Sequence, residues 1–140
     1  MLALTRQNLP TLESPAQVEK GAYVLKDFGT PEIILMASGS EVSLILEAAQ
    51  KIADEGTGVR VVSFPSWELF EKQDEAYRES VLPKNIQKRL SVEAGAGLGW
   101  ERYASSSISI NRYGASAPAK VIFEKLGFTV ENVVTRAKEL

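Results

Sequence analysis

The apolar run Ile33-Ile34-Leu35-Met36-Ala37 stops abruptly at Ser38-Gly39-Ser40-Glu41, and no other stretch of the chain restricts the possible folds as much. A strand with one wet face alternates apolar and polar residues. A run with no alternation belongs to a strand covered on both faces, as in the middle of a parallel sheet. Glycine admits a tight turn at Gly39, serine suits a helix N-cap, and Ser38 with Glu41 three residues later has the form of a capping box. Beyond the turn, Val42, Ile45, Leu46, Ala49, Ile52 and Ala53 recur at helical spacing, and Gly56 stands where a helix C-cap would. The stretch reads as the strand–turn–helix unit of an open α/β sheet. Its turn faces the edge where such sheets bind ligands.

The remaining pattern repeats this unit. Strand-like runs fall at residues 1–5, 22–26, 59–64, 89–93 and, more weakly, 108–110. Helical spacing or capping signals mark a short helix over 67–73 behind Ser66 that 75–81 continues, a turn at 100–103, a helix opening near Pro118 and ending at Gly127, and a last helix over 130–138 behind Thr129. Only residues 27–31 separate the strand at 22–26 from the central one, too few for a parallel crossover. That strand is therefore expected antiparallel, at an edge. The expected fold is a three-layer α/β/α sandwich on a five-stranded mixed sheet, with four parallel strands and one antiparallel edge strand. A Pro- and Ser-containing stretch precedes the sheet. The expected division is residues 1–8 as the end of a preceding domain, 9–20 as linker and 21–140 as the domain proper.

Composition removes several functions. A net charge of -2 gives no reason to expect nucleic acid or an anionic membrane as partner, and no apolar run reaches transmembrane length. The chain has no cysteine and no histidine, so it has no thiolate, no imidazole metal ligand and no side chain that titrates near neutrality unperturbed. Self-contained catalysis is not expected, nor is a metal or cofactor bound by this chain alone.

Some features carry chemistry in other proteins. Ser38-Gly39-Ser40 and Gly95-Ala96-Gly97-Leu98-Gly99 both follow strands, yet neither completes a Walker or dinucleotide motif; both read first as structural turns. Glu93, at a strand's end beside the glycine loop, is positioned as an acid or base, and more simply as a carboxylate that binds neighbouring backbone N–H groups. Trp67, Phe70, Trp100, Tyr103 and Tyr113 read as core or interface aromatics, and the charges from Glu68 to Glu79 as a solvated helical face. Arg6 is a bidentate phosphate donor by chemistry and, alone after a strand, a surface residue by default.

Leu4-Thr5-Arg6-Gln7-Asn8-Leu9, residues 21–27, Ala37 to Val42, Arg60 to Ser66, Lys72 to Pro83, Val92 to Gly95, Tyr113 to Pro118 and Phe123 to Val133, taken together, resemble transketolase. They are similar to its C-terminal domain and the last residues of the preceding pyrimidine-binding domain. The resemblance implies part of an enzyme that moves a two-carbon ketol unit between sugar phosphates, using thiamine diphosphate and a divalent metal such as Mg2+. In that family the cofactor, the metal and the catalytic side chains belong to the preceding domains. The expected partners are therefore the remaining transketolase domains and a second copy in a homodimer, in the cytoplasm or a plastid stroma. Arg6 matches the family arginine that contacts the sugar phosphate. Residues 104–112 are shorter and richer in serine than the family pattern. Detached from its neighbours, the domain is expected to expose Leu2, Leu4 and Trp67 or Trp100 and to self-associate. Two rival readings are a free-standing phosphometabolite or nucleotide module using the Ser38–Ser40 and Glu93–Gly99 edge, and an interaction subunit of a split enzyme.

Overall fold

The computed structural model describes residues 7–13 and 17–140. The strand expected over 1–5, with Leu2, Leu4 and Arg6, lies outside the described residues. One sheet holds β1 (Tyr23–Phe28), β2 (Ile33–Ala37), β3 (Val59–Ser63), β4 (Arg89–Glu93) and β5 (Ser106–Ser109) in the order β1-β3-β2-β4-β5. β2 runs parallel to both β3 and β4, β4 is parallel to β5, and β1 lies antiparallel to β3 at the edge. The mixed sheet with one antiparallel edge strand is the expected one. The short connection after β1 does not fold it back on β2; β1 sits one place further out, against β3.

The central run lacks alternation because both of its faces are covered. Ile33, Leu35 and Ala37 pack with α1 (Glu41–Asp54) and α5 (Val130–Lys138) in one core. Ile34 and Met36 point the other way, into a second core with Phe64, Phe70, Val81 and Trp100. That second layer is built by α2 (Trp67–Glu71) and α3 (Glu75–Val81) together with the 3-10 turn Trp100–Arg102. Burying a large apolar side chain fully contributes roughly 1.5–3 kcal/mol, so this single strand anchors both layers. α4 (Ala119–Lys125) has no buried residue and lies against the first core only through half-buried Phe123 and, just beyond its end, Leu126.

Three local expectations change. α2 and α3 are separate helices, because Asp74 caps α3 by accepting the Tyr77 N–H at 2.7 Å. β5 starts two residues earlier than expected and ends one earlier, with Ser106 opposite Leu90. Serine is a poor strand former, but here its hydroxyls have partners: Ser91 donates to Ser107 at 2.9 Å, and Arg136 donates to Ser106 at 2.8 Å. The capping box is not formed. Ser40 is the residue before α1, and neither it nor Ser38 caps a backbone N–H through its side chain. Thr129 and Ser66 do cap α5 and α2 as expected, accepting from Asn132 and Leu69.

Candidate functional site at the carboxyl ends of β2, β3 and β4

The chain leaves β2 for β3 on one side and later crosses to β4 on the other, so the strand order reverses at β2. Open α/β sheets bind their ligands outside the carboxyl ends of the strands at such a point. Here Ser38, freed from capping by the turn at Gly39 (φ +54), donates its hydroxyl across this point to Glu93 at 2.9 Å. Glu93 thus takes a side-chain hydroxyl. The backbone N–H of Ala94 goes instead to the carboxylate of Glu41, which also accepts from Ser40. Glu41, 3% exposed, is the buried carboxylate that sequence reasoning missed. Its place in the first turn of a helix suggested a cap, and nothing in the sequence placed the end of β4 against it.

Burial raises the carboxyl of Glu41 above its ordinary range, and the neighbouring Glu93 charge adds to the rise; the Ser40 and Ala94 hydrogen bonds oppose it. Burial likewise raises Glu93, against the bond from Ser38. Both carboxyls therefore hold their protons to a higher pH than an exposed glutamate does.

Beside Glu93 lies a cleft of about 190 Å3, lined by Ser38, Phe64, Trp67, Glu68, Glu93 and Trp100 among others, none of them basic. The indoles of Trp67 and Trp100 stand perpendicular with centroids 5.4 Å apart. The expectation that one of these tryptophans is exposed is corrected. Trp100 is 2% exposed and Trp67 is half-buried against it, because Phe64, Phe70 and Tyr103 complete an aromatic cluster around them. Tyr103 is anchored by donating to Glu71 at 2.6 Å. The glycine loop serves this cluster. At Gly99 (φ +95) an added Cβ would sit 2.5 Å from the Trp67 ring, so the loop is structural, as read from its sequence. The acidic edge also weakens the phosphate-module reading, since among the described residues the lining offers an anion no lysine or arginine.

A larger open groove, about 770 Å3, lies at the N-terminal ends of α1 and α5 and along α4. Leu9, Leu44, Phe123 and Val130 form its apolar part, and Ser40 and Lys120 part of its polar rim. Leu98 and Tyr113, in the loops after β4 and β5, are 82% and 96% exposed. Among the described residues no group of three or more acidic side chains is placed to hold a metal, and no helix is long and apolar enough to cross a membrane.

Comparison with known proteins gives the family. Residues 21–129 match the family model for the transketolase-like C-terminal domain. A transketolase from Nostoc is 51% identical over 146 aligned positions, covering 100% of this chain and 22% of that protein. One from Geobacillus stearothermophilus is 49% identical, covering 99% and 22%. The transketolase structure from Leishmania mexicana superposes with a TM-score of 0.91 at 42% identity, over 96% of this chain and 20% of that one. A split-gene transketolase, at 21% identity and a TM-score of 0.72, shares the fold alone. The chain thus spans about a fifth of the length of the first two relatives and of the Leishmania chain. It belongs to the transketolase family, as a transketolase-like C-terminal domain.

Proposed function

We propose that this domain works as the C-terminal part of a thiamine-diphosphate-dependent ketol transferase, supporting assembly and contributing one substrate contact. The observation that carries the reading is the identity of about half over the whole chain to a full-length transketolase. In this reading residues 1–8 end the pyrimidine-binding domain, 9–20 link, and 21–140 form the C-terminal domain. Thiamine diphosphate and Mg2+ are held elsewhere in the enzyme, and the chemistry of breaking and forming the carbon–carbon bond is theirs. The chain by itself supplies no histidine for proton transfer and is inactive alone.

The groove beside Leu9 and the exposed Leu98 and Tyr113 support a docking role, because apolar surface of this kind is normally covered by a neighbour. The preceding domain and the second subunit of a homodimer are the proposed covers. Arg6, outside the described residues, is the proposed sugar-phosphate contact, suited to it by a bidentate guanidinium. A cytoplasmic or stromal enzyme of pentose phosphate metabolism fits this assignment.

A ketol-transfer assay with xylulose 5-phosphate, ribose 5-phosphate, thiamine diphosphate and Mg2+ tests the proposal. The chain alone should give no turnover, and supplying the two preceding domains in trans should restore it. Turnover by the chain alone, or none in trans despite complex formation, would refute the proposal.

A further inference from the structure

The cleft beside Glu93 has a chemical character that ketol transfer does not use. Two perpendicular indole rings, Trp67 and Trp100, form a corner with centroids 5.4 Å apart, and Phe64 stands edge-on to Trp100 at 5.6 Å. Aromatic faces carry negative charge density and attract cations, most strongly when the cation is poorly hydrated. Two carboxylates, Glu93 and Glu68, share the lining with Ser38, and among the described residues no basic side chain does. Glu68 lies on the outer rim, where it accepts from Ser66 at 3.1 Å and feels Lys72 from the next turn. Glu93 lies deeper. Its charge is felt by Glu41, a second carboxylate behind it.

Size narrows the ligand. Pockets for drug-sized molecules occupy roughly 300–1,000 Å3, and this one holds about 190 Å3. A phosphate or sugar phosphate would face two carboxylates with no counter-charge. A small hydrated metal ion would lose water against indole rings that offer it no lone pair. An organic ammonium head group meets neither objection: its alkyl shell packs on the Trp67 ring and its charge is answered by the carboxylate.

We propose that this cleft binds a small organic ammonium group, with the half-buried Trp67 as its aromatic wall, the buried Trp100 backing that ring, and Glu93 as its counter-charge. The free cation and the ammonium of a lysine side chain share this chemistry. The site lies at the carboxyl edge of the sheet, where ligands of such folds sit, and its assignment does not depend on the ketol-transferase reading.

The chain contains two tryptophans, and both line the cleft, so intrinsic fluorescence reports on it directly. Choline chloride should change that fluorescence saturably in the millimolar range. Its uncharged isostere, with a tert-butyl group in place of trimethylammonium, should not, and neither should sodium chloride at matched ionic strength. Butylammonium, with the head group of lysine, separates the two sources: a stronger response than choline points to a lysine side chain, a weaker one to a free quaternary cation. Glu93→Gln keeps the shape and the Ser38 contact while removing the charge, and should weaken the response about tenfold or more. Glu68→Gln should have a smaller effect, and near-ultraviolet circular dichroism verifies that both variants fold. Absence of any saturable response to either ammonium, an equal response to the isostere or to salt, or unchanged binding in Glu93→Gln overturns the proposal.

Discussion

Replacing Gly99 by alanine should destabilise the domain by more than backbone strain explains. Gly99 has φ +95, a left-handed conformation that costs an L-residue roughly 1–2 kcal/mol. Its added Cβ would also lie 2.5 and 2.7 Å from two atoms of the Trp67 ring, far inside van der Waals contact. That ring cannot simply swing away, since it packs against Trp100 at 5.4 Å and Tyr103 at 5.9 Å. Overpacking of a well-filled cluster adds typically about 1–3 kcal/mol. The expected total is therefore about 2–5 kcal/mol. Gly56 provides the control, with the same φ of +95 and nothing within 4 Å of its added Cβ, so Gly56→Ala should cost the strain alone, roughly 1–2 kcal/mol. Urea denaturation of both variants measures the difference. A double-mutant cycle then locates it: in a Trp67→Leu background, Gly99→Ala should lose most of its excess cost. Equal costs at Gly99 and Gly56, or an excess that survives in the Trp67→Leu background, would show that the loop does not hold the aromatic corner in place.

Other consequences follow from burial and charge. Glu41 and Glu93 have carboxyls raised above their ordinary range, so their contribution to stability is full below the ordinary carboxylate range and declines as pH rises through the raised values. Glu41→Gln should then raise the melting temperature at neutral pH and flatten its dependence between acid and neutral pH; a lower melting temperature at neutral pH would contradict this. Leu35→Ala, at a position fully buried in the first core, should cost about 2–5 kcal/mol in chemical denaturation. Leu98→Ser, at a position 82% exposed, should stay within about 0.5 kcal/mol, while reducing self-association measured by light scattering. Unchanged association in Leu98→Ser would remove that side chain from the docking surface.

The layers and the sheet were legible because their signals are local. A five-residue run without alternation requires cover on both faces, and the connection of residues 29–32 between β1 and β2 rules out a parallel crossover. The position of β1 beside β3 was not legible, because pairing depends on which edge is free once the crossovers are made. The pairing of buried Glu41 with half-buried Glu93 was hidden for a similar reason. The two carboxylates are 52 residues apart in sequence (93 − 41) and meet only when β4 lies against β2. Local signals were also misleading where a tertiary partner competed. Ser38 has the spacing of a capping box, yet its hydroxyl bonds Glu93, and the serines of β5 read as a loop until their partners on β4 and α5 are in place. Of the aromatic residues read as core or interface, Phe70, Trp100 and Tyr103 are core, Trp67 packs half-buried against them and Tyr113 is exposed; the cluster they form beside a cleft depends on contacts distant in sequence.

Domain replacement in a complete enzyme tests the central assignment most directly. Residues 1–140 would be exchanged for the matching segment of the Nostoc transketolase, which aligns over 100% of this chain, and ketol-transfer kinetics and subunit assembly measured on the purified chimera. The account predicts an assembled enzyme with kcat near that of the parent, and a raised KM for sugar phosphates when Arg6→Ala is added. A chimera that folds and binds thiamine diphosphate but does not assemble or turn over would contradict it.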